Sequence, residues 1–268
     1  MLQAVRHVSF SPSRAVLRVL CLAAFLPAAL AHATLEDEIQ VYDDSINAPG
    51  EFGLELHVNA TPSGPREPEE ENQIHDVHGV RTTFEGSYSV SKTVELGIYV
   101  PFDHTAAGDE RFAGPRVRLK YIPKRGTPDS PWFYGINFEL SHVKAEFEET
   151  QDFLEVRPIM GWRAEGWLIA FNPVFGQALR PGERQGGPDF SPSVKVAKEW
   201  LPGISPGFEY YADMGKFGDL GRYSSQSHTL FAAIDVDRAP FVFNFGIGRG
   251  LTSEADRWTV KAIFELPI

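Results

Sequence analysis

Several groups of residues in this sequence have types and spacings that could do chemistry. Two Ser-His pairs, Ser141-His142 and Ser227-His228, offer the nucleophile and base of a hydrolase. His75-Asp76-Val77-His78, beside Glu67 and Glu69-Glu70-Glu71, offers imidazoles and carboxylates to a cation. Gly246-Ile-Gly248-Arg-Gly250 has the outline of a nucleotide loop. A larger set of charges recurs at alternate positions, as in Arg116, Arg118 and Lys120. What each group can do depends on the element that carries it.

Those elements are strands. Phe52, Leu54, Leu56 and Val58 alternate with Gly53, Glu55, His57 and Asn59, which predicts one apolar and one polar face. The same period runs through Thr82 to Val90 and then Val94 to Phe102, with a two-residue hairpin expected at Ser91-Lys92. It returns in 116–121, 132–141, about 152–162, 167–176, near 190–199, 205–213, 228–236, 241–247 and 258–268. Twelve strands of this length suit a single all-β barrel, and with 24 Gly, 20 Pro and 20 Phe the composition favours turns and aromatic strands over helices.

The strand pattern disposes of most of the motifs. Adjacent residues point to opposite faces, so neither Ser-His pair can share a proton directly. The glycine run lacks the third glycine of GxGxxG and no helix follows, so it reads as strand-end flexibility. The His75–His78 stretch matches no zinc spacing and reads as a solvated acidic loop. No metal and no cofactor is expected.

The first 33 residues read as a secretory signal: Arg6, Arg14 and Arg18, an apolar run from Val19 to Leu30, then Ala31-His32-Ala33 as the cleavage site. Cys21 lies in the apolar run behind the bulky Leu20, which disfavours lipid attachment. Cleavage would leave a chain without cysteine, excluding disulfides and thiol chemistry. The formal charge of -11 argues against nucleic acid as a partner.

Two features predict a transmembrane barrel over a soluble one. Connections alternate between long and short along the chain, as expected of short periplasmic turns and long extracellular loops. Trp132, Trp162, Trp167, Trp200 and Trp258 fall near strand ends, where an interfacial girdle needs them. With the apolar faces on lipid, the lumen receives Glu55, Glu85, Glu95, Arg116, Arg118, Lys120, Glu139, Glu155, Arg157, Glu209, Asp235, Lys261 and Glu265. These charges either brace a narrow barrel or line an aqueous path. Residues 34–49 are expected as a periplasmic segment or a plug, and 50–268 as the barrel.

The segment Glu38-Ile-Gln-Val-Tyr-Asp-Asp-Ser-Ile-Asn-Ala-Pro-Gly-Glu-Phe-Gly-Leu-Glu-Leu-His57 is similar to the start of a group of proteobacterial outer-membrane proteins. The whole mature chain resembles, more distantly, the barrel family named for the meta-cleavage pathway of phenol degradation. The resemblance implies an outer-membrane barrel of a Gram-negative cell, a route for small aromatic or other hydrophobic solutes, and no catalytic residues. The closing strand departs from the usual terminal Phe, ending Phe264-Glu-Leu-Pro-Ile268. A passive channel is therefore expected, with outer-membrane lipid, the barrel-assembly machinery and a small solute as partners. The alternatives are a structural or surface-interaction barrel, a soluble periplasmic ligand-binding barrel, and a lipid hydrolase. Outer-membrane phospholipases carry a His-x-Ser spacing, and it is absent here: Val143-Lys144 follows His142 and Thr229-Leu230 follows His228.

Overall fold

The computed structural model describes residues 38–64, 77–147, 150–184, 186–239 and 241–266. The signal region and the stretch 65–76, which holds Glu67, Glu69-Glu70-Glu71, His75 and Asp76, lie outside the described residues.

Twelve antiparallel staves close into one barrel. They are β1 (Phe52–Ser63), β2 (Val80–Ser89), β3 (Val94–His104), β4 (Arg116–Lys124), β5 (Trp132–His142), β6 (Asp152–Ala164), β7 (Trp167–Asn172 with Phe175–Ala178), β8 (Asp189–Phe190 with Ser193–Lys198), β9 (Ile204–Asp213), β10 (Ser227–Arg238), β11 (Phe241–Gly250) and β12 (Trp258–Leu266). Each pairs with its sequence neighbours, and β1 pairs with β12 from Leu54↔Leu266 to Ala60↔Val260. Closure pairs every stave with a neighbour on both sides among the described residues, as a strand protein in lipid requires.

The alternation seen in the sequence has a physical target on each side. Phe84, Ile98, Leu119, Phe138, Ile169 and Phe245 stand exposed on the outer wall, while Arg81, Glu85, Glu95, Arg118, Glu139 and Lys261 are buried inside. An exposed apolar surface of this extent is costly in water and favourable against acyl chains. No helix among the described residues is long and apolar enough to cross a membrane.

Loop lengths sort by end. The strand ends flanking 90–93, 125–131, 165–166, 199–203 and 239–240 gather at one end of the barrel, and those flanking 64–79, 105–115, 143–151, 179–188, 214–226 and 251–257 at the other. Glu165 and Gly166 both have positive φ, 53° and 75°, so β6 and β7 join through a two-residue turn whose twist suits antiparallel neighbours. The hairpin expected to turn on two residues at Ser91-Lys92 uses four. Ser91 Oγ accepts from the N–H groups of Thr93 and Val94 at 3.2 and 3.1 Å and holds the wider turn.

Two staves expected to be continuous are broken. Asn172 and Phe175 flank Pro173-Val174, and Phe190 and Ser193 flank Ser191-Pro192. The prolines have no N–H to give the ladder, so both breaks fall there. Ser191 N–H still donates to Val174 O at 2.9 Å, which keeps the wall joined.

Candidate functional site: a charged lumen and the segment inside it

On the β1–β6 side, inward side chains form a series of ion pairs. Arg118 donates to Glu85 at 2.6 Å and to Glu95 at 2.9 Å. Arg116 lies 3.3 Å from Glu139, and Arg157 donates to Glu155 at 2.8 Å. Nearer the long loops, Arg81 grips Asp103 through two bonds of 2.8 Å. The β8–β12 side carries a smaller cluster in which Lys195 reaches Asp235 at 2.7 Å and Glu209 at 3.2 Å. Lys261 also pairs with Glu209, and Asn244 donates to Asp235 at 2.7 Å.

All thirteen charged residues expected in the lumen sit on inward positions of their staves, but they divide among these two clusters and the barrel mouth. Glu55 and Glu265 face each other across the β1–β12 seam, where Glu265 is exposed. Sequence reasoning missed Lys195, although Val194 and Val196 flank it in the alternating pattern. It also passed over Arg81, Asp103, His57 and Tyr99 by treating the polar face as a background rather than as a set of partners.

The segment from Glu38 to Asn47 runs inside the barrel, and the exposed Ala48–Gly50 carries it to β1. Val41 and Tyr42 are buried in an apolar cluster with Ile122, Phe133, Ile159 and Ala170. Asn172, itself buried, receives the Tyr42 N–H on Oδ1 at 2.6 Å and donates Nδ2 to Tyr42 O at 3.0 Å, so a side-chain amide satisfies both backbone groups. The Tyr42 hydroxyl meets Tyr99 Oη at 2.6 Å and donates to Glu139 at 3.3 Å. The Arg157 guanidinium stands 4.4 Å and the Lys120 ammonium 4.6 Å from the centre of the Tyr42 ring.

Wall cations then bind the segment's backbone carbonyls. Lys261 donates to Ile39 O at 2.8 Å, Arg157 to Gln40 O at 3.2 Å, and Lys120 to Ser45 O at 2.8 Å. Toward the short-turn end, Arg163 pairs with Asp43 at 2.7 Å and Asp44 at 2.9 Å, while Asn47 N–H donates to Glu95 at 2.8 Å. Burial opposes ionisation of Asp43, but Arg163 and Lys120 outweigh it and hold the carboxyl down to about 2. Glu38 is the opposite case. Burial, reinforced by Glu139, pushes its carboxyl up to about 8. Both of its oxygens lack a hydrogen bond among the described residues, with Arg157 3.9 Å away.

At the long-loop end a second obstruction forms. Val143 and Phe147 fold inward onto Ala113, and Phe147 lies 5.5 Å from the Arg81 guanidinium.

The catalytic and nucleotide motifs resolve differently. His142 is exposed and bonds Asp152 at 2.5 Å, whereas Ser141 faces the other side of β5. His228 is buried between the rings of Tyr210 and Tyr223, with Tyr210 Oη on Nδ1 and Gln226 Oε1 on Nε2, so both ring nitrogens are occupied. The glycines read as strand-end flexibility lie within β11 and make room: a Cβ at Gly248 would strike the ring of Phe231. Trp132, Trp162, Trp167 and Trp200 gather at the short-turn end, and Trp258 stands alone of the five at the long-loop end.

No protein-family model matches the sequence, and no curated protein matches it. Among solved structures, an outer membrane channel from Pseudomonas putida F1 aligns with a TM-score of 0.55 and 10% identity, covering 85% of this chain and 100% of its own. LpxR from Salmonella typhimurium aligns at 0.44 with 6% identity, covering 81% and 100%, a level that carries no argument. The first likeness establishes a shared fold, in line with the expected barrel.

Proposed function

We propose, from this shared barrel fold, that the protein is a narrow outer-membrane channel for passive uptake of small solutes, closed in this conformation by its own residues 38–49. The observation that carries this reading is the pairing of an apolar outer wall with a charged lumen whose groups bind the segment's backbone as well as each other. A purely structural barrel needs the wall network but has no use for a polar strap threaded through it.

The short-turn end then faces the periplasm, where both the first and last staves begin and end, and the long loops face outward. Outer-membrane lipid meets the apolar belt, and the barrel-assembly machinery inserts the chain after signal removal. The apolar cluster of Ile122, Phe133 and Ile159 beside the guanidinium network gives the lumen one wall suited to aromatic or other hydrophobic solutes once the segment withdraws.

Fractionation followed by planar-bilayer recording tests this. Recovery in the outer membrane with heat-modifiable migration and small, discrete conductance steps is expected. A soluble periplasmic product would refute the membrane reading. A membrane barrel that stays silent across voltages would leave the structural reading in its place.

A further inference from the structure

A row of carboxylates crosses the closing seam. Glu85, Glu55 and Glu265 lie directly opposite one another on β2, β1 and β12. Like charges in register on adjacent strands repel, and a cation set among them would relieve that repulsion. Arg118 serves Glu85 through Oε1, and the remaining neighbour is His57, two residues along β1 on the same face as Glu55.

The geometry around His57 is not that of an ordinary ion pair. Its Nε2 stands 3.3 Å from Glu55 Oε2 and 3.2 Å from Glu85 Oε2. A single strong charge-assisted N–H···O bond closes to about 2.7–2.9 Å, whereas one N–H shared between two acceptors makes a longer, weaker contact with each. A tetrahedral ion with bonds of about 2.0–2.2 Å instead holds neighbouring ligand atoms about 3.3–3.6 Å apart, the spacing found here. One ligand atom from each of the three residues lies within 4.8 Å of the others.

We propose that Glu55, His57 and Glu85 form a binding site for a divalent transition-metal ion, with zinc the best match, set in the lumen beside the seam. One imidazole and two carboxylates suit such an ion and leave a fourth position open to water or solute. Arg118, bonded to the other oxygen of Glu85, fixes the ligating carboxylate from behind. A second observation points the same way. Glu38, buried with both oxygens unpartnered among the described residues, interacts electrostatically with Glu85 and His57. The site thus has a buried carboxyl without a hydrogen bond for a neighbour.

The test is zinc competition against a chromophoric chelator, using the full mature barrel in detergent after chelator treatment. Wild type should take up one equivalent of zinc. Glu55→Gln and His57→Gln should each weaken binding about ten-fold or more, while a His75→Gln/His78→Gln double variant in the outer loop binds as wild type does. Heat-modifiable migration identifies which variants are folded. Should His57→Gln fail to assemble, Glu55→Gln decides, because its side chain is partly open to the mouth. No bound zinc in folded wild type, undiminished affinity in the folded Glu55→Gln variant, or loss confined to the loop variant would overturn the site.

Discussion

The two halves of the lumen wall are built differently. From β1 to β6 the inward positions hold long charged side chains, including Arg81, Glu85, Arg118, Glu139 and Arg157, nearly all paired across strands. From β7 to β12 they hold Ala170, Ala178, Ala197, Gly246 and Gly248, with one compact cluster around Glu209. The first half supplies most of the donors and acceptors; the second supplies most of the space. The segment 38–49 uses both. Its Tyr42 ring lies against the cations of β4 and β6, while Lys261 of β12 and Asn172 of β7 hold its backbone from the opposite side. A barrel charged all round would have no room for the segment, and one lined with small residues all round would have no grip on it.

The largest way to break this contrast is to remove a cation from the charged half. Arg118→Ala removes the guanidinium that Glu85 and Glu95 share, leaving one buried oxygen of each without its cation, and the cost should be about 3–5 kcal/mol, read from urea unfolding in lipid vesicles. On the spacious half the damage comes from adding atoms. Gly248→Val drives a branched side chain into Phe231 and should cost about 1–3 kcal/mol in the same assay. If the two substitutions cost the same when their chemistries are exchanged between halves, the contrast is false.

These two sites also show what could be read from the sequence. The barrel was legible because its cause is local: alternation at Phe52–Val58 or Trp258–Ile268 needs no knowledge of any partner strand. The inward charges followed from the same parity. Which of them meet was not legible, since Arg118 reaches Glu85 and Glu95 through stave register and side-chain length. Lys195 escaped notice because one charge between two valines looks like any solvated strand residue. The glycines of β11 misled for a related reason. Their purpose is the ring of Phe231 on a neighbouring stave, and nothing beside them in sequence announces it. Residues 38–49 were ambiguous between tail and plug because Ile39, Val41, Tyr42 and Ile46 follow no single strand or helix period, and the partners of Val41 and Tyr42 lie eighty to one hundred and thirty residues away.

A smaller effect isolates the grip itself. Tyr42→Phe keeps the ring against Arg157 and Lys120 but deletes the hydroxyl bonds to Tyr99 and Glu139. It should weaken docking by about 1 kcal/mol and raise the frequency of open events in bilayers without altering barrel stability.

The mildest perturbation is pH, and the segment's two titrating carboxyls act in opposite directions. Asp43 is held down to about 2 when docked, so it favours docking above its ordinary value of 3.8 and loses that contribution as pH falls toward 2. Glu38 is pushed up to about 8, so its contribution is full below 4.5 and declines as pH rises through 8. Docking should be tightest near pH 4–5, and the open fraction should rise from there to pH 8. Glu38→Gln should flatten that rise and leave the acid limb intact. A wild-type open fraction that stays level over this range would remove Glu38 from the account.

The most direct test compares single-channel conductance of the full mature chain with that of a chain lacking residues 34–49, both confirmed as heat-modifiable barrels. Closure by the segment predicts brief, rare openings in the full chain and a larger, persistent conductance in the shortened one. Equal conductance in the two would contradict it and leave the wall and its outer loops, with Phe147 over Arg81, as the true constriction.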